Sequence, residues 1–107
     1  MYIQIIEGWR YLDGARDNVV ERVRRAVAEG GGKPPLQPNV PGLIARAFGT
    51  SSEDPETGAA VWVWESREAA EAYTAARPGE LVHRLEKSLD TSDVVTRGFD
   101  GIYFGHR

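Results

Sequence analysis

Two tryptophans, Trp62 and Trp64, stand two residues apart in the segment VWVWESREAA, which covers residues 61–70. Side chains two residues apart lie on the same face of a β-strand, so both indoles are expected on one face. Ser66 can cap a helix that begins directly after them. We expect the indoles either in the core or in one wall of a pocket, and the free energy of burying them would be similar in both cases.

His83 and Tyr73 are the residues best suited to acid–base chemistry on a small ligand. Histidine ordinarily titrates near neutrality, which makes His83 the candidate base. The alternative is an exposed histidine on the polar side of a helix, beside Arg84 and Glu86. Tyr73 falls late in a predicted helix, where its hydroxyl either donates a hydrogen bond to a substrate oxygen or extends from a ring that only packs on the sheet.

Glu7 and Asn39 are further candidates for binding a substrate. Glu7 lies in the predicted first strand and faces away from Gln4 and Ile6, so it can act as a base or pair with an arginine at the rim of the sheet. Asn39 lies in the loop Gly30–Pro41, where its amide can hydrogen-bond a ligand. This loop is longer than most connections in compact domains, and it is either functional or a plain surface insertion.

The composition of the chain argues against several classes of function. The chain has 107 residues, 41% of them hydrophobic, and a net charge of −3. This composition predicts one globular domain over residues 1–107. The chain has no cysteine and two histidines, so we expect no disulfide and no metal site. The basic residues are scattered along the chain, which does not favour nucleic acid as a partner. No segment is typical of a signal peptide or a membrane span, so we expect a cytoplasmic protein.

The hydrophobic pattern predicts elements in the order β-α-β-β-α-β. The predicted strands are Tyr2–Trp9, Leu43–Thr50 and Ala59–Glu65, followed by strand-like residues at Val94-Val95 and Gly101–Gly105. The first predicted helix is Arg16–Glu29, and the second helical segment is broken at Pro78-Gly79 into Ser66–Ala76 and Glu80–Leu89. This order is that of the α+β class and its ferredoxin-like split βαβ fold, in which helices cover one face of a four-stranded antiparallel sheet. The other face would leave a large apolar surface in water, so a homodimer is expected.

The run PGLIARAF…VWVWESREAAEAY carries a resemblance to a known family. A Pro-Gly leads into the second strand at Pro41-Gly42, a tryptophan ends the third strand at Trp64, and the following helix ends in the aromatic Tyr73. In these features the chain resembles the antibiotic biosynthesis monooxygenase superfamily of dimeric α/β-barrel proteins. The segment ELVHRLEKSL, which contains His83, is similar to the second short helix of that superfamily.

Two branches of the superfamily can be compared with the chain. The haem-degrading branch has an asparagine on the first strand, a tryptophan late in the helix, and a histidine ten residues further on. His83 matches the histidine, but Tyr73 stands at the tryptophan position, and Glu7 or Gly8 stands at the asparagine position. The second branch oxidises phenols of the polyketide type to quinones without metal or flavin, because the substrate anion itself reduces O₂.

The resemblance therefore implies a cofactor-independent monooxygenase of secondary metabolism that acts on an aromatic polyketide-like substrate. The residues assigned by this hypothesis are His83 and Tyr73 for catalysis, and Trp62, Trp64, Glu7 and Asn39 for substrate binding. One alternative is a non-catalytic dimeric barrel that binds a small molecule or helps another enzyme. The other is a haem-binding relative with an altered triad.

Overall fold

The computed structural model describes residues 1–29, 40–76, 88–105 and 107, which form an α+β fold, as predicted. The elements in chain order are β1 (Tyr2–Tyr11), α1 (Ala15–Glu29), β2 (Leu43–Thr50), β3 (Thr57–Trp64), α2 (Arg67–Ala76), β4 (Leu89–Asp90) and β5 (Val95–Asp100). His83 and Asn39 lie outside the described residues, as do most of the predicted helix Glu80–Leu89 and of the loop Gly30–Pro41.

The strands form one antiparallel sheet with β1 at its centre, in the order β2-β3-β1-β4, and β5 also pairs with β1. On the side of β1 away from β3, β5 pairs with Tyr2 through Glu7, and the short β4 pairs with Arg10 and Tyr11. Together β4 and β5 occupy one strand position. The sheet therefore has the four positions that the ferredoxin-like fold requires.

Two predicted boundaries near the end of the chain are wrong. Gly101–Gly105 lies outside every described strand, because the Gly101 N–H already bonds the carbonyl of Met1 and β1 offers no partner beyond that point. Leu89, predicted as the last residue of a helix, lies in β4 opposite Tyr11. Its side chain is buried against Tyr11 and Trp9, and this long-range packing outweighs the local helical pattern.

A bulge at Gly8 decides which side chains of β1 face the helices. The register between β1 and β3 shifts between Glu7 and Trp9, so that Trp9 lies opposite Gly58. Gly8 has a φ of 94°, a conformation that glycine adopts readily. The shift turns Trp9 and Tyr11 to the helix-facing side, whereas regular alternation would place these odd-numbered residues on the other side.

The core of the described chain consists of two clusters on the helix-facing side of the sheet. The cluster against α2 contains Val40, Trp62, Trp64 and Ala70. The cluster against α1 contains Trp9, Tyr11 and Leu89, with Val19 and Val94 packed on it. Each helix is thus held to the sheet by its own set of aromatic side chains.

The opposite side of the sheet carries apolar side chains that no described helix covers. Ile3 pairs with Val63 and Phe99, and Ile5 pairs with Val61, so all five lie on this side. Phe99 is 46% exposed in the single chain. We call these five residues the open face.

Candidate functional site

Three of the predicted site residues form one aromatic cluster between β3 and α2. The rings of Trp62 and Trp64 are stacked, with centroids 5.7 Å apart and 19° between their planes. The ring of Tyr73 lies 5.8 Å from that of Trp62 and 5.5 Å from that of Trp64. The shared strand face of the two indoles is confirmed, and α2 brings Tyr73 to the same place.

Trp64 is the most deeply buried member of this cluster. It is 1% exposed, and its Nε1 donates a hydrogen bond of 2.9 Å to Oε1 of Gln4. Trp62 is also buried, at 7% exposure. A side chain as enclosed as Trp64 stabilises the core, and its contact with a substrate stays a prediction.

The start of α2 is fixed by hydrogen bonds and by a close approach at Gly42. The Ser66 hydroxyl oxygen accepts a hydrogen bond of 3.1 Å from the Ala69 N–H, which confirms the predicted cap. The Gly42 carbonyl accepts one of 2.7 Å from the Glu65 N–H. Gly42 has a φ of 81°, and a Cβ at this position would lie 2.5 Å from that of Ala69. The glycine therefore lets α2 approach β2 and hold Tyr73 against the indoles.

Arg46 and Phe48 are exposed residues on one face of β2, each in contact with a different core cluster, and neither was predicted as a site residue. The Cζ of Arg46 lies 5.6 Å from the ring centroid of Trp62. The ring of Phe48 stacks on that of Trp9, with centroids 5.2 Å apart and 8° between planes, and Phe48 is 45% exposed. We call Arg46, Phe48 and Trp62 the cation–aromatic surface. Strand alternation in LIARAF was a signal for it, because Arg46 and Phe48 share a face.

The cation–aromatic surface combines two modes of binding. An exposed aromatic ring such as that of Phe48 can stack on a planar ligand. The positively charged Arg46 guanidinium attracts anions. A planar aromatic anion such as a phenolate would use both interactions at once.

Glu7 lies on the other side of the sheet from the aromatic cluster. Its Oε1 lies 3.3 Å from Nη2 of Arg97, so it pairs with an arginine, one of the two roles considered for it. Glu7 also lines an open pocket of about 650 Å³, together with Gly49 and Gly58, beside the hairpin between β2 and β3. The structure therefore does not bring Glu7 together with the tryptophans, and a role in substrate binding stays a prediction.

Tyr11, in the cluster against α1, has a shifted pKa. Burial raises the pKa of its hydroxyl, the charge of Arg16 opposes this rise, and Glu56 adds to it. Because the pKa is higher in the folded state, the unfolded chain loses this proton first as the pH rises. The contribution of Tyr11 to stability is fully present below about pH 10 and is lost as the pH rises through the folded-state pKa.

We expect the wild type to lose free energy of unfolding more steeply above about pH 10 than Tyr11→Phe does, since the variant has no proton to lose at this position. Urea unfolding over that alkaline range measures both slopes. Tyr103→Phe, which changes an exposed hydroxyl, should follow the wild type. Parallel curves for the wild type and Tyr11→Phe would contradict the shift.

His83 and Asn39 lie outside the described residues, so their roles as base and ligand donor stay predictions. Within residues 1–29, 40–76, 88–105 and 107, no group of three or more His, Cys, Asp or Glu side chains is placed to hold a metal ion. In the same ranges, no helix has the length and apolar character needed to span a membrane.

Comparison with known proteins finds similarity in structure but not in sequence. No family model matches the chain, and no curated protein matches it. A solved antibiotic biosynthesis monooxygenase has a TM-score of 0.63 and 18% identity, over 96% of this chain and 100% of the other. SnoaB, a cofactor-independent oxygenase from Streptomyces nogalater, has a TM-score of 0.56 and 14% identity, over 96% of this chain and 95% of the other.

A protein of Chloroflexus aurantiacus, proposed to belong to the same class, has a TM-score of 0.63 and 17% identity, over 100% of this chain and 98% of the other. These matches extend over nearly the full length of both chains. The chain therefore has the ferredoxin-like α+β fold of the antibiotic biosynthesis monooxygenases.

Proposed function

We propose that the protein is a cofactor-independent monooxygenase of secondary metabolism that converts an aromatic polyketide-like phenol to a quinone. The observation that supports this most directly is the cation–aromatic surface, where Arg46 and the exposed ring of Phe48 lie on one face of β2. SnoaB, which shares the fold, is a cofactor-independent oxygenase. A substrate that reduces O₂ as its own anion needs from the protein a base, an orienting surface and shielding from water.

In the proposed reaction, a phenol and O₂ give a quinone and water. His83 takes the phenolic proton, and the anion then transfers electrons to O₂. One oxygen atom is added to the ring, and the other leaves as water. Arg46 stabilises the phenolate and so lowers its pKa, while Tyr73 donates a hydrogen bond to a substrate oxygen. Phe48 stacks on the ring and excludes water, while the buried Trp62 packs against the Arg46 guanidinium.

Oxygen uptake with a dihydroxynaphthalene tests this function directly. We expect uptake and quinone formation that a chelator does not change. Arg46→Leu should lower kcat/KM about tenfold or more, because it removes a charged partner of the anion. Arg24→Leu, on the exposed surface of α1, removes the same charge elsewhere and should leave the rate unchanged.

The outcomes of this assay separate the alternatives. Binding of the dihydroxynaphthalene without oxygen uptake would contradict the proposed monooxygenase activity and favour a non-catalytic binding protein. In such a protein the buried Trp64 would only stabilise the fold. An absorption band on titration with haem, together with no uptake, would favour a haem-binding relative. Equal rates for Arg46→Leu and Arg24→Leu would exclude the cation–aromatic surface as the site.

We also propose that the protein is a homodimer whose subunits meet at the open face. The apolar side chains of Ile3, Ile5 and Phe99 share this face, and burying them would be favourable. Phe99→Asp should therefore shift the mass measured by light scattering from dimer towards monomer. Val23→Asp, also at a site that is 46% exposed but on α1, should stay dimeric. A monomeric wild type would contradict the proposal.

A further inference from the structure

Gln4 is held to the core by one atom of its amide and leaves the other atom free. Its Oε1 accepts the hydrogen bond of 2.9 Å from Nε1 of Trp64. Because an indole N–H can only donate, this bond fixes the amide with Nε2 turned away from Trp64. Nε2 has no hydrogen-bond partner in the described chain. The buried side-chain atoms without a partner there are Tyr11 Oη and Arg16 Nε, so Nε2 of Gln4 is accessible to solvent.

The hydroxyl of Tyr2 lies beside this amide, over Gly98 of β5. Gln4 and Gly98 are direct cross-strand partners, and a Cβ on Gly98 would overlap the Tyr2 hydroxyl. Directly opposite Cβ positions are about 5 Å apart, so Oη of Tyr2 lies at roughly this distance from Cβ of Gln4. One ligand oxygen can therefore accept hydrogen bonds from both Nε2 and Oη. The hydroxyl can occupy this place because Gly98 has no side chain.

The ring of Tyr2 is held on two sides, which fixes the position of its hydroxyl. It packs against the cluster that contains Trp62 and Trp64, and Cζ of Arg67 lies 6.0 Å from its ring centroid. The hydroxyl has no hydrogen-bond partner within the described residues, and it is not enclosed. Arg67 is already paired with Glu71 at 2.9 Å. With this cation neutralised, an uncharged acceptor suits the two donors.

The space in front of these donors is open and has an aliphatic floor. All six residues of β5 are exposed, so the helix-facing side of this strand is not covered. Next to Gln4 on the same face, Ile6 pairs with Ala60, and Ala60 pairs with Phe48. Ile6 and Ala60 are half-buried, and no aromatic side chain of the sheet stands between Phe48 and Gln4 in this row. A planar aromatic ring can therefore lie on Ile6 and Ala60 and contact the exposed ring of Phe48.

We propose that Gln4 Nε2 and Tyr2 Oη bind the carbonyl oxygen of an aromatic ketone whose ring lies on Ile6 and Ala60. A carbonyl oxygen has two lone pairs, one for each donor. This proposal rests on the proposed function and deepens it, because it gives the polyketide-like phenol a carbonyl group. Arg46 lies two strand positions from Gln4, about 10 Å across the sheet, so a substrate of several fused rings extends from one to the other.

Gln4→Glu tests the site, because it keeps an oxygen acceptor for Trp64 and replaces the free NH₂ group by a second oxygen. The probes are acetylnaphthalene and ethylnaphthalene, which are both uncharged and differ only in the carbonyl oxygen. Equilibrium dialysis measures the Kd of each. The affinity for the ketone relative to that for the ethyl compound should fall about tenfold in Gln4→Glu and about threefold or more in Tyr2→Phe. The Kd of ethylnaphthalene should stay the same.

The matched controls change the same groups elsewhere. Asn18→Asp, at an exposed position of α1, also converts an amide to a carboxylate, and Tyr103→Phe removes an exposed hydroxyl. Both should keep the wild-type preference. An unchanged preference in Gln4→Glu and Tyr2→Phe, an equal loss of affinity for both probes, or a wild type that does not bind acetylnaphthalene would overturn the proposal. Dialysis does not depend on oxygen uptake, so failure of the carbonyl site and failure of the proposed function are distinguishable.

Discussion

Replacing Trp64 with alanine should lower the free energy of unfolding by about 3–5 kcal/mol, the range for truncating a buried aromatic side chain. The indole is almost fully enclosed, stacks on Trp62, contacts Tyr73 and donates a hydrogen bond to Gln4. The substitution removes all these contacts and leaves a cavity beneath α2. Urea unfolding followed by circular dichroism measures the loss. A loss below about 1 kcal/mol would contradict the burial of Trp64 and favour the alternative that its indole lines an open pocket.

Trp64→Phe separates the packing of the indole from its hydrogen bond. The variant keeps a ring on β3 but leaves Oε1 of Gln4 without its donor, at a cost of about 1–3 kcal/mol. Gln4→Leu should therefore cost less free energy of unfolding in the Trp64→Phe background than in the wild type. Equal costs in the two backgrounds would show that the hydrogen bond contributes nothing in solution.

The sequence was informative where a feature depends on neighbours along the chain. Strand alternation predicted that Trp62 and Trp64 share a face, and the side chain of Ser66 predicted the start of α2. The bounds of β2 were predicted correctly, because both ends of the strand are marked by turn residues. These signals are local, and tertiary contacts did not have to be known.

Features that depend on pairing between distant residues were missed. The register of β1 with β3 brings Gln4 to Trp64, and the register of β2 with β3 brings Arg46 to Trp62. The alternation of residues within one strand does not predict the register between two strands. Leu89 has a helical pattern locally but is held in β4 by Tyr11. The predicted first strand also ended at Trp9, whereas β1 continues to Tyr11 after the bulge at Gly8.

Gly8→Ala should lower the free energy of unfolding by about 2–5 kcal/mol, from two causes that add. A residue with a Cβ is strained by about 1–2 kcal/mol at the positive φ of 94°. In addition, the Cβ would lie 2.5 Å from the carbonyl oxygen of Asp93, so the backbone must shift, at a further cost of about 1–3 kcal/mol. Since the bulge orients Trp9 and Tyr11, the near-ultraviolet circular dichroism of the aromatic residues should change as well.

Gly14→Ala and Gly49→Ala separate these causes. Gly14 has a φ of 76° but no heavy atom within 4 Å of the added Cβ, so only the backbone strain of about 1–2 kcal/mol is expected. Gly49 has neither a positive φ nor a close neighbour, so its substitution should change stability by no more than about 0.5 kcal/mol. A loss of free energy of unfolding no larger for Gly8→Ala than for Gly14→Ala would show that the contact with Asp93 does not constrain the bulge. In that case packing against α1 would orient Trp9 and Tyr11 instead.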